Sequence, residues 1–145
     1  MKYLLLFLIS FQSYSMTFEH TNKIYQKIIK ANKFVYVPKL KLVYSPKVNA
    51  HSGFSSITVN SAMLLFVKND SEMALVLGHE LAHYMLGHMI SNYSNEFAAD
   101  ERGAKYARQS GYNSCKGALV ILRLNSPNSP THPSSSSRYA ALGCN

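Results

Sequence analysis

Between Asp70 and Ile90 the sequence reads as one helix whose apolar residues cover almost its whole circumference. Met73, Val76, Leu77, Leu81, Met85 and Leu86 leave no wide polar stripe, and a helix of that kind belongs inside a domain. The same helix carries His79, Glu80 and His83. Burying two imidazoles and a carboxylate is costly unless partners satisfy them. A fold for this chain must therefore bury a central helix and bring polar groups to its middle.

The spacing of those polar residues suits a metal ion. His79 and His83 stand four residues apart, so on a helix their rings leave one face. Both can then reach one zinc ion at about 2.0–2.1 Å. Glu80 follows the first histidine, where its carboxylate can reach a water on the metal without being a ligand. Zinc brings the pKa of such a water to about 7, and Glu80 can take its proton during attack on a carbonyl. His79-Glu80-Leu81-Ala82-His83 is thus an H-E-x-x-H segment. With six histidines in 145 residues, chance yields one in roughly a hundred such chains. The blander reading, a pair of ordinary helix histidines, loses further ground because the helix is apolar.

A catalytic zinc usually has three protein ligands and one open position. Glu96 is the best third candidate, near the start of the next helix. Asp100 lies one turn further on the same face, where it can accept a hydrogen bond from a ligand histidine. Glu96 also reads as a surface acid at a helix N-terminus, where acids are favoured. The small residues Ala98, Ala99 and Ala104 imply close helix packing and favour the ligand. His88 is the rival. On a continuing helix it would point well away from the metal face. Leu86 and Met89 stand where a three-histidine pattern requires glycine and histidine.

Around this segment the chain reads as α+β. Residues 17–33 form an amphipathic helix with Ile24, Ile28 and Ala31 on one face and Lys23, Lys27 and Lys30 on another. Leu40, Leu42 and Tyr44 alternate with Lys39, Lys41 and Val43 as a half-buried strand. Two short strands follow at Val48–Ala50 and Ile57–Val59, with Gly53 near their turn. Asp70 or Ser71 caps the metal helix, and Ser94 caps another that ends near Gly111. A further helix spans about Cys115 to Leu124. Residues 125–137 form a proline- and serine-rich loop, and a helical turn from Arg138 to Leu142 closes the chain.

These elements resemble, over roughly residues 47–142, the HtpX-like and CAAX-prenyl-protease-like zinc metallopeptidases, metallopeptidase family forty-eight, with its Oma- and BepA-type relatives. Val48-Asn49-Ala50 is similar to the family segment before the active-site helix. Glu96 with Asp100 and Gly103 is similar to its E-x-x-x-D-x-x-G element. Thr131-His132-Pro133 followed by Arg138 resembles its late histidine-proline and arginine segment. The resemblance implies a gluzincin-like minimal metallopeptidase domain, a short antiparallel sheet followed by active-site helices. It implies zinc ligands His79, His83 and Glu96, general base Glu80 and supporting Asp100. His132 would approach the metal from its loop, stabilising an oxyanion or occupying the open position. Arg138 would orient a carboxylate or a substrate carbonyl. Many members carry a long helical insertion after the second histidine. Here twelve residues separate His83 from Glu96, so an unusually open cleft is expected.

Location and partners follow from the rest. Lys2, the apolar stretch Tyr3 to Ile9, and Ser13 and Ser15 at the −3 and −1 positions read as a secretory signal peptide over residues 1–15. Residues 16–145 would then be the mature domain, periplasmic or secreted. The stretch is short for a membrane span; an uncleaved N-terminal anchor is the other reading. No cysteine near the cleavage point marks a lipoprotein. Cys115 and Cys144 would pair in an oxidising compartment or stay as two thiols, and neither has zinc-ligand spacing with another cysteine. The net charge of +8 fits peripheral contact with an anionic membrane surface. Its lysines lack the aromatic-basic pattern of nucleic-acid binding, which is not expected. The function this supports is an endopeptidase acting on exported or misfolded polypeptides. The alternative is a zinc-binding, chaperone-like interaction module without hydrolytic activity. The strand at Ile57–Val59 could pair with an extended substrate by edge addition.

Overall fold

The structure, a computed structural model, describes residues 14–144. The expected signal peptide lies outside the described residues except for Tyr14 and Ser15. Helix α1, Phe18–Ala31, starts where Thr17 accepts the His20 amide at 3.1 Å. It buries Thr21, Ile24, Tyr25 and Ile28, an i, i+3, i+4, i+7 stripe. Ala31, assigned to that face from the sequence, is exposed, and Tyr25 takes its place. Strands β1 (Lys39–Val43), β2 (Ala50–Ser52) and β3 (Ser56–Asn60) form one sheet in the order β1-β3-β2.

The sheet corrects the expected antiparallel arrangement, because β1 runs parallel to β3 and only β2 is antiparallel to it. Burial explains the order. In β3 the four residues from Ile57 to Asn60 are all buried, and a strand with no solvent face belongs where both edges are paired. β1 alternates exposed lysines with half-buried leucines, which suits an edge. Tyr44, expected inside, lies beyond the end of β1 and is 87% exposed. The central position of β3 also rules out the strand at Ile57–Val59 as the place for substrate addition. β2 is the edge that packs beside the metal helix.

A six-residue helix α2, Ser61–Phe66, leads into α3, Asp70–Leu86. The α3 cap is Asn69, whose side chain accepts the Glu72 amide at 3.1 Å. α4 spans Tyr93–Gln109 with Asn92 as its cap, α5 spans Ser114–Leu124, and α6 spans Ser135–Ala141. α3 is the axis of the domain: α1, α4, α5 and β2 all pack on it. Met73, Ala74, Leu77, Leu81 and Ala82 are fully buried along it. Glu72, also buried, is held by Arg123 of α5 through bonds of 2.6 and 2.5 Å and by the Lys68 amide at 2.6 Å. Cys115 and Cys144 form a disulfide that ties the segment after α6 to the start of α5. Among the described residues no helix is long and apolar enough to cross a membrane.

The crossing of α3 and α4 depends on two glycines. A Cβ at Gly78 would meet the Gly103 carbonyl oxygen at 2.6 Å, and a Cβ at Gly103 would meet the His79 amide nitrogen at 2.5 Å. Both obstacles are helix backbone, which cannot move aside like a side chain. Gly103→Ala should therefore separate the helices and destabilise the domain by about 1–3 kcal/mol. Chemical denaturation of both proteins checks this; a variant as stable as wild type would contradict it.

Candidate metal centre

His79 and His83 leave α3 one turn apart, with perpendicular rings and Nε2 atoms 3.0 Å from each other. Glu96, in the first turn of α4, faces both. Its Oε1 lies 3.5 Å from His83 Nε2, and its Oε2 lies 3.8 Å from His79 Nε2. Donors at about 2.0–2.1 Å from a tetrahedral ion are about 3.3–3.4 Å apart, and the observed spacings bracket that value. Two imidazoles and a carboxylate are also the donor set of a catalytic zinc with its fourth position open. The residues present thus fit the ion, and among the described residues their ligand atoms all lie within 4.8 Å of one another.

Behind His79 stands a second layer. Asp100 Oδ1 lies 2.9 Å from His79 Nδ1. Arg138, from α6, grips the same carboxylate at both oxygens, Nε to Oδ2 at 2.7 Å and Nη2 to Oδ1 at 2.6 Å. Arg138 Nη2 also comes to 3.4 Å from His79 Nδ1. An ionised carboxylate only accepts, so Nδ1 carries the proton toward Asp100 and leaves Nε2 as a bare donor to metal. Arg138 Nη1 lies 3.7 Å from Glu96 Oε2, so one guanidinium serves both acids.

The charges follow from this packing. Burial pushes the Asp100 carboxyl up, but Arg138 and His79 more than offset it and hold it at about 2. Burial likewise opposes ionisation of Glu96, yet the His83 bond and the charges of His79 and Arg138 leave its pKa lowered. For His79, burial works against the cation, while Asp100 bonding and charge raise the pKa overall. Glu80 differs. It is 8% exposed, and burial raises its pKa despite the nearby histidines.

A cavity of about 500 Å³ brings these groups together. His79, Glu80, His83, Glu96, Asp100, His132 and Arg138, all named from the sequence, line it. His132 stands at the rim with its side chain 48% exposed and Nε2 3.8 Å from Glu96 Oε1. Its loop is braced by the Tyr93 hydroxyl on the Ser129 carbonyl at 2.9 Å. Arg138 orients the Asp100 carboxylate. Two residues at the cavity were not singled out as part of the site. His51 of β2 lines it, and its position just after Val48-Asn49-Ala50 was the available signal. His88, set aside as pointing away, has Nδ1 3.0 Å from His83 Nδ1. The expectation failed because α3 ends at Leu86 instead of continuing to Ile90.

A compact α+β domain whose central helix offers two histidines to a glutamate on the next helix is a metallopeptidase architecture. The model of Peptidase family M48 matches residues 15–95, more than half of the chain, and the chain belongs to that family of zinc-dependent metallopeptidases. The match takes in His79, Glu80 and His83 and stops one residue before Glu96. No curated protein matches the chain.

Replacing Asp100 by Asn would leave the half-buried Arg138 against a neutral amide, at a cost of about 3 kcal/mol. A carboxylate whose folded pKa is depressed adds stability above its unfolded value, near 3.9. That stability is lost as pH falls through the folded value of about 2. The advantage of metal-free wild type over Asp100→Asn should thus be full above about pH 4 and shrink toward pH 2. Denaturation across this range tests it; a constant difference would contradict it.

Proposed function

We propose that the chain is a zinc endopeptidase that hydrolyses peptide bonds of exported or misfolded polypeptides. The observation that carries this reading is the Glu80 carboxylate, which lines the same cavity as His79, His83 and Glu96. A purely structural zinc site has no use for an extra acid there. His79 Nε2, His83 Nε2 and one Glu96 oxygen would hold the ion. When bound, zinc supplies Lewis acidity that polarises the scissile carbonyl and acidifies a water. Glu80 takes a proton from the attacking water as its oxygen bonds to the carbonyl carbon. It then gives that proton to the amide nitrogen as the C–N bond breaks. Burial raises the basicity of Glu80 toward that task. His132, at the rim beside Glu96, donates to the developing oxyanion or covers the open position at rest.

The edge of β2 gives a substrate somewhere to lie. The Asn60 amide donates to the Asn49 carbonyl at 3.0 Å and the Gly53 amide to the Ser56 carbonyl at 2.8 Å. Antiparallel pairing alternates, so the backbone groups of Ala50 and Ser52 face the other way, toward the open edge. An extended polypeptide can pair with them and pass over the metal. This replaces β3 as the docking strand. Basic residues would add peripheral attraction to an anionic membrane surface, and nucleic acid has no part in the reading. The alternative, a zinc-binding chaperone-like module, makes no use of Glu80.

Glu80→Gln should keep fold and zinc while cleavage of an unfolded protein falls by about 10²–10⁴-fold. Rates are compared with wild type at equal zinc content, and equal rates would sink the assignment. If wild type cleaves none of a broad set of unfolded proteins, the binding module is favoured.

Export after Ser15 belongs to the same proposal. Met16 would become the first residue, and its side chain, 4% exposed, is part of the core. Cleavage would remove Tyr14, whose hydroxyl donates to Asp70 at 2.9 Å. Mass spectrometry of protein from the native host should find Met16 at the N-terminus. An intact Met1 terminus on soluble cytoplasmic protein would overturn export.

A further inference from the structure

α3 stops at Leu86 because Gly87 turns left-handed, at φ 67° and ψ 31°. The Gly87 amide then donates to the Tyr84 carbonyl at 3.2 Å, and the His88 amide donates to the His83 carbonyl at 3.0 Å. This paired closure is a Schellman turn. It carries the chain back over the last helical turn, so the residue five beyond His83 stands beside it. The two rings lie 5.2 Å apart at 71°, with their Nδ1 atoms 3.0 Å from each other.

We infer that His88 is a positioning residue for the metal ligand His83, accepting the Nδ1–H of His83 on its own Nδ1. The inference rests on the metal reading above. A neutral imidazole has one proton to place. His83 Nε2 lies 3.0 Å from His79 Nε2 and 3.5 Å from Glu96 Oε1, so it is the nitrogen aimed at the metal position. It must be bare to serve there, which puts the proton on Nδ1. For His79 that proton has Asp100 to receive it. For His83 the group at hydrogen-bond distance from Nδ1 is His88.

The two ligands are therefore backed in different ways. Asp100 is a buried anion locked by Arg138 from across the fold. His88 is a neutral ring held by the turn that ends the ligand's own helix. It adds no negative charge to a cavity that already holds Glu80, Glu96 and Asp100. As the acceptor at Nδ1, His88 keeps its own proton on Nε2.

Four forms of the full chain test this: wild type, His88→Ala, His88→Asn and His88→Gln. Asparagine can put an amide oxygen where Nδ1 sits, whereas glutamine reaches toward the place of Nε2. Zinc affinity is measured by competition with a chromogenic chelator. Nitrogen NMR of zinc-loaded, histidine-labelled protein reads the tautomer of His83. His88→Ala should bind zinc about 10–100-fold more weakly with unchanged helix content. His88→Asn should recover most of the loss and His88→Gln should not. In wild type the His83 proton should sit on Nδ1. Unchanged affinity in His88→Ala, equal rescue by glutamine, or a His83 proton on Nε2 would each overturn the inference while leaving the metal site standing. A metal-bound His88 signal would make it a ligand and also overturn it. Wild type that binds no zinc would overturn the metal reading and this one with it.

Discussion

Two helices bring their backbones into contact only where neither has a side chain in the way. Gly78 and Gly103 create such a point between α3 and α4, and the candidate metal centre is built around it. Gly78 directly precedes His79, and Gly103 lies two turns beyond Glu96 and one beyond Asp100. Contact there fixes how far the α4 acids stand from the α3 histidines. With bulkier residues the helices would separate by more than the short Glu96 and Asp100 side chains could span. The backbone contact thus sets ligand geometry before any ligand is considered.

Charge is arranged around that contact with little waste. Three carboxylates line one cavity, and like charges so close would normally drive one another toward neutrality. Arg138 prevents that for two of them, gripping Asp100 and lying 3.7 Å from Glu96. Glu80 lies beyond its grip and is shifted the other way by burial. Three acids of similar intrinsic strength are therefore held in different states: Asp100 and Glu96 with lowered pKa values, Glu80 with a raised one.

Much of the site was legible because its signals are local. The i, i+4 histidines, the acid between them and the E-x-x-x-D spacing are all set by one helical repeat. Helices α1, α3, α4 and α5 were found within a few residues for the same reason. What depends on distant pairing was not legible. The place of β3 between its neighbours follows from its four-residue buried run, but the pairing itself joins segments far apart in sequence. The partner of Arg138 lies 38 residues away on another helix. The ion pair of Glu72 and Arg123 spans 51 residues. His88 is a different case. Its signal was present in Gly87, a residue type that commonly ends helices. A helix carried on to Ile90 turns this neighbour of His83 into a residue on the far side. Helix α2 was missed because six residues show too little periodicity to read.

The Cys115–Cys144 disulfide has a consequence at the other end of the molecule's working parts. α6 is only seven residues long, far too short to be helical alone, and it carries the Arg138 that anchors Asp100. Linking cysteines 29 residues apart lowers unfolded-chain entropy by an amount worth about 3–4 kcal/mol. It also fastens the segment just beyond α6 to the start of α5. In a reducing solution that restraint would vanish, and the hold of Arg138 on Asp100 would loosen with it.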